Sequence, residues 1–60
     1  MKKTKYLLMY DEEYEEFMTY RYIRRNEWMW FYTLDHEWYE SQFMTPLKVP
    51  GYILIMEWYE

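Results

Sequence analysis

The sequence has no cysteine and no alanine, one glycine, two prolines and one histidine in 60 residues. Each shortage closes off a class of protein. Without Cys there is no disulfide framework and no Cys-based zinc site, and one His cannot make a His-rich metal site. No cofactor is expected. The longest uncharged run, Val49–Met56, is far short of the roughly 20 apolar residues that span a bilayer, so no membrane partner is expected. The basic stretch Lys2-Lys3-Thr4-Lys5 is followed only by Tyr6–Tyr10 before acids begin, which is too short for the apolar part of a secretory signal. What fills the composition instead is aromatic: nine Tyr, four Trp and three Phe, with six Met. That content excludes collagen, a Gly/Ser linker or an acidic disordered tail.

Length sets the next limit. A domain this small buries only about 60% of the surface its unfolded chain exposes. Below about 70 residues, folds usually add disulfides, a metal or oligomerisation. The first two are missing, so self-association or a partner is expected, helped by aromatic side chains that each bury about 150–250 Å².

Formal net charge is −4, from 11 acids and 7 Lys and Arg. Five of the six residues Asp11–Glu16 are acidic. There is no basic stripe of the kind that neutralises phosphates, so direct nucleic-acid binding is not expected. An acidic, aromatic surface suits a basic protein surface, where complementary charge steers encounter. The plainer reading of Asp11–Glu16 is a solvated turn.

No repeat or linker appears, so residues 1–60 form one domain. Thr4–Tyr10 reads as a strand. Glu16–Ile23 is rich in aromatic and β-branched residues and also reads as a strand, although a helix from Glu12 to about Arg25, capped by Asp11, competes. Arg24–Glu27 is a turn and Trp28–Leu34 the second half of a hairpin. Asp35 is a good N-cap with Glu37 in the first turn, which predicts a helix to Met44, stopped by Thr45-Pro46. Val49-Pro50-Gly51 is a turn and Tyr52–Tyr59 the clearest strand. The expected class is α+β: a small antiparallel sheet of three or four strands with one helix packed on it, dimeric. Along Trp28–Leu34, Trp28, Trp30, Tyr32 and Leu34 share one face. Along Tyr52–Tyr59, Tyr52, Leu54, Met56 and Trp58 do. The opposite faces are apolar too, and one helix covers only one side.

Asp35-His36-Glu37 invites a catalytic reading, but a helix start explains it, and no nucleophile stands nearby. No enzyme is expected. Glu12/Glu13 and Glu15/Glu16 lack the loop pattern of a calcium site. On the predicted helix, Tyr39 and Phe43 are four apart and share a face, beside Glu37 and Glu40.

At Tyr39-Glu40 and Phe43 the chain resembles the small uracil-DNA glycosylase inhibitors of phi29-like Bacillus phages. Their helix carries an aromatic followed by Glu and, three residues on, another aromatic. A leucine precedes the helix cap, as Leu34 precedes Asp35, and an apolar strand closes the chain. The resemblance implies a dimeric phage protein, in the cytoplasm of its bacterial host, that inhibits a host DNA-binding enzyme by mimicking DNA. Tyr39 and Phe43 would line a pocket for the enzyme's leucine, and Glu40 would face its basic cleft. Glu37 is added from the helix geometry. The alternatives are an inhibitor or adaptor of another host protein, such as a polymerase subunit or defence nuclease, and a module that only oligomerises.

Overall fold

In the computed structural model, which describes residues 2–60, the chain is all β. The strands are β1 (Lys5–Asp11), β2 (Glu16–Arg24), β3 (Glu27–Tyr32), β4 (Glu37–Glu40) and β5 (Tyr52–Tyr59), with one 3-10 turn at Pro46–Lys48. They form one antiparallel sheet in the order β4-β3-β2-β1-β5. The first four strands meander. A crossover, residues 41–51, then carries the chain to the far edge, where β5 pairs with β1.

The expected helix does not form, and the α+β class gives way to a five-stranded sheet. Two physical reasons account for this. A nine-residue helix is marginal alone, and Trp38, Tyr39 and Phe43 are poor helix formers. As β4, the same segment sets Trp38 opposite Phe31 and Tyr39 opposite Trp30, with ring centroids 5.2 and 5.5 Å apart. Such cross-strand aromatic pairs stabilise a sheet by about 0.2–1 kcal/mol each. Asp35 still uses its carboxylate locally, accepting from the Glu37 N–H at 3.0 Å, but it closes a hairpin loop. His36, at φ +59°, completes the reversal. A side-chain acceptor two residues before an N–H serves a cap and a turn equally well.

The other hairpins follow the same logic. Asp11 Oδ1 accepts from the N–H of Glu13 at 2.9 Å and of Tyr14 at 3.4 Å, folding Glu12–Glu15 into the β1–β2 loop. Arg24 and Glu27 pair across the β2–β3 turn, joined by an ion pair at 3.0 Å, with Asn26 at φ +61°. Thr45 caps the 3-10 turn by accepting from the Leu47 N–H at 3.2 Å. Pro46, expected only to stop a helix, starts that turn and is fully buried.

The core lies on one side of the sheet. Leu7, Met9, Tyr20 and Trp28 are its fully enclosed apolar residues, and Met18, Trp30 and Tyr52 pack against them. Leu7 pairs with Tyr20, and Tyr20 with Trp30, so these side chains share a face. The crossover lies over this side and sets Phe43 against Tyr52, with centroids 6.0 Å apart. In β5 the register skips Ile55, since Leu8 faces Met56 and Met9 faces Leu54. This bulge sends Tyr52 and Leu54 to the core side and Met56 and Trp58 to the outer side. The expected common face of these four residues is therefore split.

Candidate functional site

β4 and the start of the crossover build the candidate site. Tyr39, Glu40 and Phe43 line one cleft of about 400 Å³, together with Met18, Tyr20, Trp30, Ser41, Gln42 and Tyr52. Of the four predicted residues, Tyr39 and Phe43 thus meet on the core side without the helix that was expected to gather them, while Glu40 borders the cleft but, paired with Met29, faces the outer side by register. Tyr39 reaches the core side because it pairs with Trp30, and Phe43 arrives because the chain turns over the sheet after Glu40. Glu37 does not join them. It opens β4 opposite Tyr32, outside the lining.

The cleft is mostly aromatic. Trp30 and Tyr39 form one wall, and Phe43 and Tyr52 the other. Tyr20 closes the floor and its hydroxyl donates to that of Tyr52 at 3.5 Å. Burial, then the Tyr52 hydroxyl, pushes the Tyr20 phenol well above the ordinary tyrosine range. The Tyr39 hydroxyl donates to Asp35, whose carboxylate holds that phenol above its usual value too. Met18, Tyr20, Trp30 and Tyr52 were not picked out as site residues. Their aromatic content was visible, but only the strand register brings them to one place.

A second cavity, about 570 Å³, lies where β2 and β3 part. Their ladder runs from Arg24/Glu27 to Tyr20/Trp30 and stops, while Glu16–Thr19 go on pairing with β1, and Phe31 and Tyr32 with β4. Met18 and Trp30 line both cavities, which adjoin in a trough running from the crossover to the space between the two loops, where the lining passes to Glu16 and to Phe17 and Phe31 of the opposite face. Phe17 and Leu34 stand at its end, 63% and 79% exposed.

Charge is polarised along the strands. The β1–β2 and β3–β4 loops, with their flanking residues, hold Asp11, Glu12, Glu13, Glu15, Glu16, Asp35 and Glu37, seven of the chain's 11 acids. The opposite end holds Lys2, Lys3 and Lys5 before and at the start of β1, and Arg24 and Arg25 at the β2–β3 turn, together with Glu27, Glu57 and Glu60, of which Glu27 pairs with Arg24 and Glu57 with Lys5. The trough reaches the acidic end at Glu16.

Among the described residues no group of three or more His, Asp or Glu is placed to hold a metal ion, and no helix is long and apolar enough to cross a membrane. No known protein family, curated protein or solved structure matches this chain.

The Tyr20 environment yields a pH prediction. A phenol whose folded pKa is raised contributes stability that is complete below its unfolded value of about 10 and is lost as pH rises above it. Denaturant unfolding should therefore give constant stability from neutral pH to about pH 10 and a fall beyond. In Tyr20→Phe that alkaline fall should shrink. An unchanged fall would place it elsewhere in the molecule.

Proposed function

We propose that this chain is a non-enzymatic binding protein that occupies a basic surface of a host DNA-processing enzyme, as a phage-type inhibitor in the bacterial cytoplasm. The observation that carries the reading is an aromatic trough that ends at Glu16, at the end of the sheet whose loops and flanks hold seven acids. An apolar side chain from a DNA-binding cleft would enter the trough, while the carboxylates meet the Lys and Arg that otherwise hold phosphates. Binding of this kind is steered by charge and falls as salt rises.

Uracil-DNA glycosylase is the first target to test, on the Tyr39-Glu40 and Phe43 spacing. A uracil-excision assay with the bacterial enzyme and stoichiometric added protein decides it. Complete inhibition at equimolar protein supports the reading, and full excision at micromolar excess rejects this target. Glu40→Lys, at an exposed position, should weaken inhibition about tenfold or more while the unfolding midpoint stays put. Unchanged inhibition would make Glu40 an ordinary solvated edge residue.

A further inference from the structure

The side of the sheet away from the core is apolar, its side chains mostly half-buried against one another. Tyr6, Leu8, Phe31, Trp38, Met56 and Trp58 all point there by strand register. Tyr6 stacks on Trp58, centroids 5.4 Å apart, and Arg21, the cation of this face, lies along the Trp38 ring at 4.5 Å. Among the described residues nothing crosses this side. Thr4 continues the β1 ladder by bonding to Glu60, and the crossover runs over the other side.

The amount of surface is informative. The chain exposes 5015 Å². A compact monomer of 8.0 kDa exposes about 4,450 Å², so roughly 560 Å² is surplus. One face of a sheet of five strands about 4.8 Å apart and seven residues long measures roughly 550 Å². The surplus is therefore about one sheet face. Two copies closing these faces would bury roughly 1,100 Å² in all, just above the approximately 1,000 Å² that a specific interface needs.

We propose that this outer face closes on the same face of a second copy, with the strands of the two copies antiparallel. Two dyads lie in the plane between such sheets. A dyad along the strands sets one acidic end over the other. A dyad across the strands sets each acidic end over the partner's Lys2, Lys3, Lys5, Arg24 and Arg25 end. Like charges repel and opposite charges attract over these distances, so the second arrangement is favoured. A two-fold interface is self-complementary, which a polarised sheet satisfies only this way round. The cleft walled by Trp30, Tyr39, Phe43 and Tyr52 lies on the core side and stays open, while Phe17 and Phe31 of the second cavity belong to the outer face; the proposal rests on that face and not on the inhibitor reading.

Sedimentation equilibrium of the intact chain at low salt, from roughly 1 to 100 µM, is the test. The expected mass is about 16 kDa, twice 8.0 kDa. Met56→Glu and Ile53→Glu alter outer-face residues that are 51% and 42% exposed in the single copy, so circular dichroism should stay unchanged while the mass falls to 8.0 kDa. Arg24→Glu with Arg25→Glu should weaken association about tenfold. Adding Glu12→Lys and Glu13→Lys to that variant should restore it to within about threefold. A wild-type mass of 8.0 kDa, larger open assemblies, a dimer that ignores both outer-face variants, or failure of the second charge reversal to restore association would each overturn the proposal.

Discussion

Leu7→Ala is expected to cost about 3 kcal/mol and to lower the unfolding midpoint by roughly 12–24 °C. Leu7 is 0% exposed and sits in β1, the strand flanked by both β2 and β5. Met9, Tyr20, Trp28 and Pro46 are similarly enclosed. Removing its branch leaves a void among large rings that cannot collapse into it, so the cavity adds to the lost transfer energy. A domain of this size has about 3–9 kcal/mol of stability in total, so the variant sits near the folding threshold. Leu34→Ala is the control. Leu34 is 79% exposed, and its loss should move stability by no more than about 0.5 kcal/mol. Equal effects from the two would mean that the enclosed cluster is not what holds the sheet.

Asp11→Ala is expected to cost about 1–2 kcal/mol. Asp11 is 7% exposed, and its Oδ1 accepts two backbone N–H groups of the β1–β2 loop. Without it those donors lose their partner, and the Glu12 N–H bond to the Gly51 carbonyl, 2.9 Å, loses its support. Asp11→Asn separates acceptor from charge, because the amide oxygen keeps the geometry and the negative charge goes. With Glu12, Glu13, Glu15 and Glu16 nearby, removing one charge costs little, so Asn should stay within about 0.5 kcal/mol of the parent. If Asn is as damaging as Ala, the carboxylate's charge, and not its acceptor role, closes the loop.

How much of this was readable beforehand follows from the kind of signal each element carries. β5 was legible to the residue, because Tyr52–Tyr59 is apolar and bounded by Pro50-Gly51. β2 settled as a strand over its helical competitor, since Phe17, Tyr20, Tyr22 and Ile23 favour extended backbone. β4 was missed because Asp35 presents the same local acceptor to a helix and to a turn. What decided between them was distant: Trp30 and Phe31, waiting as partners for Tyr39 and Trp38. The Ile55 bulge left no mark in the sequence, and with it went the face assignment of Met56 and Trp58. The cleft was half legible. Tyr39, Glu40 and Phe43 were read from a spacing, while Met18, Tyr20, Trp30 and Tyr52 join them through strand register alone.

The acidic end and the aromatic excess, both visible in the composition, acquire separate places in the fold. Seven acids gather at the loop end of the sheet, where the trough reaches Glu16. The aromatic and aliphatic surplus coats the outer side, the face proposed to meet a second copy. Few residues are left for the interior of a single copy, which is why, among the described residues, Pro46 and just four other apolar side chains are enclosed.

The central claim, that the outer face belongs inside an interface, makes folding depend on concentration. A dimer diluted a hundredfold loses about 2.7 kcal/mol per pair, so the thermal midpoint should fall by roughly 5–10 °C between 100 and 1 µM. A midpoint that stays the same across that range would show that one copy folds with its outer face bare, and would contradict the account.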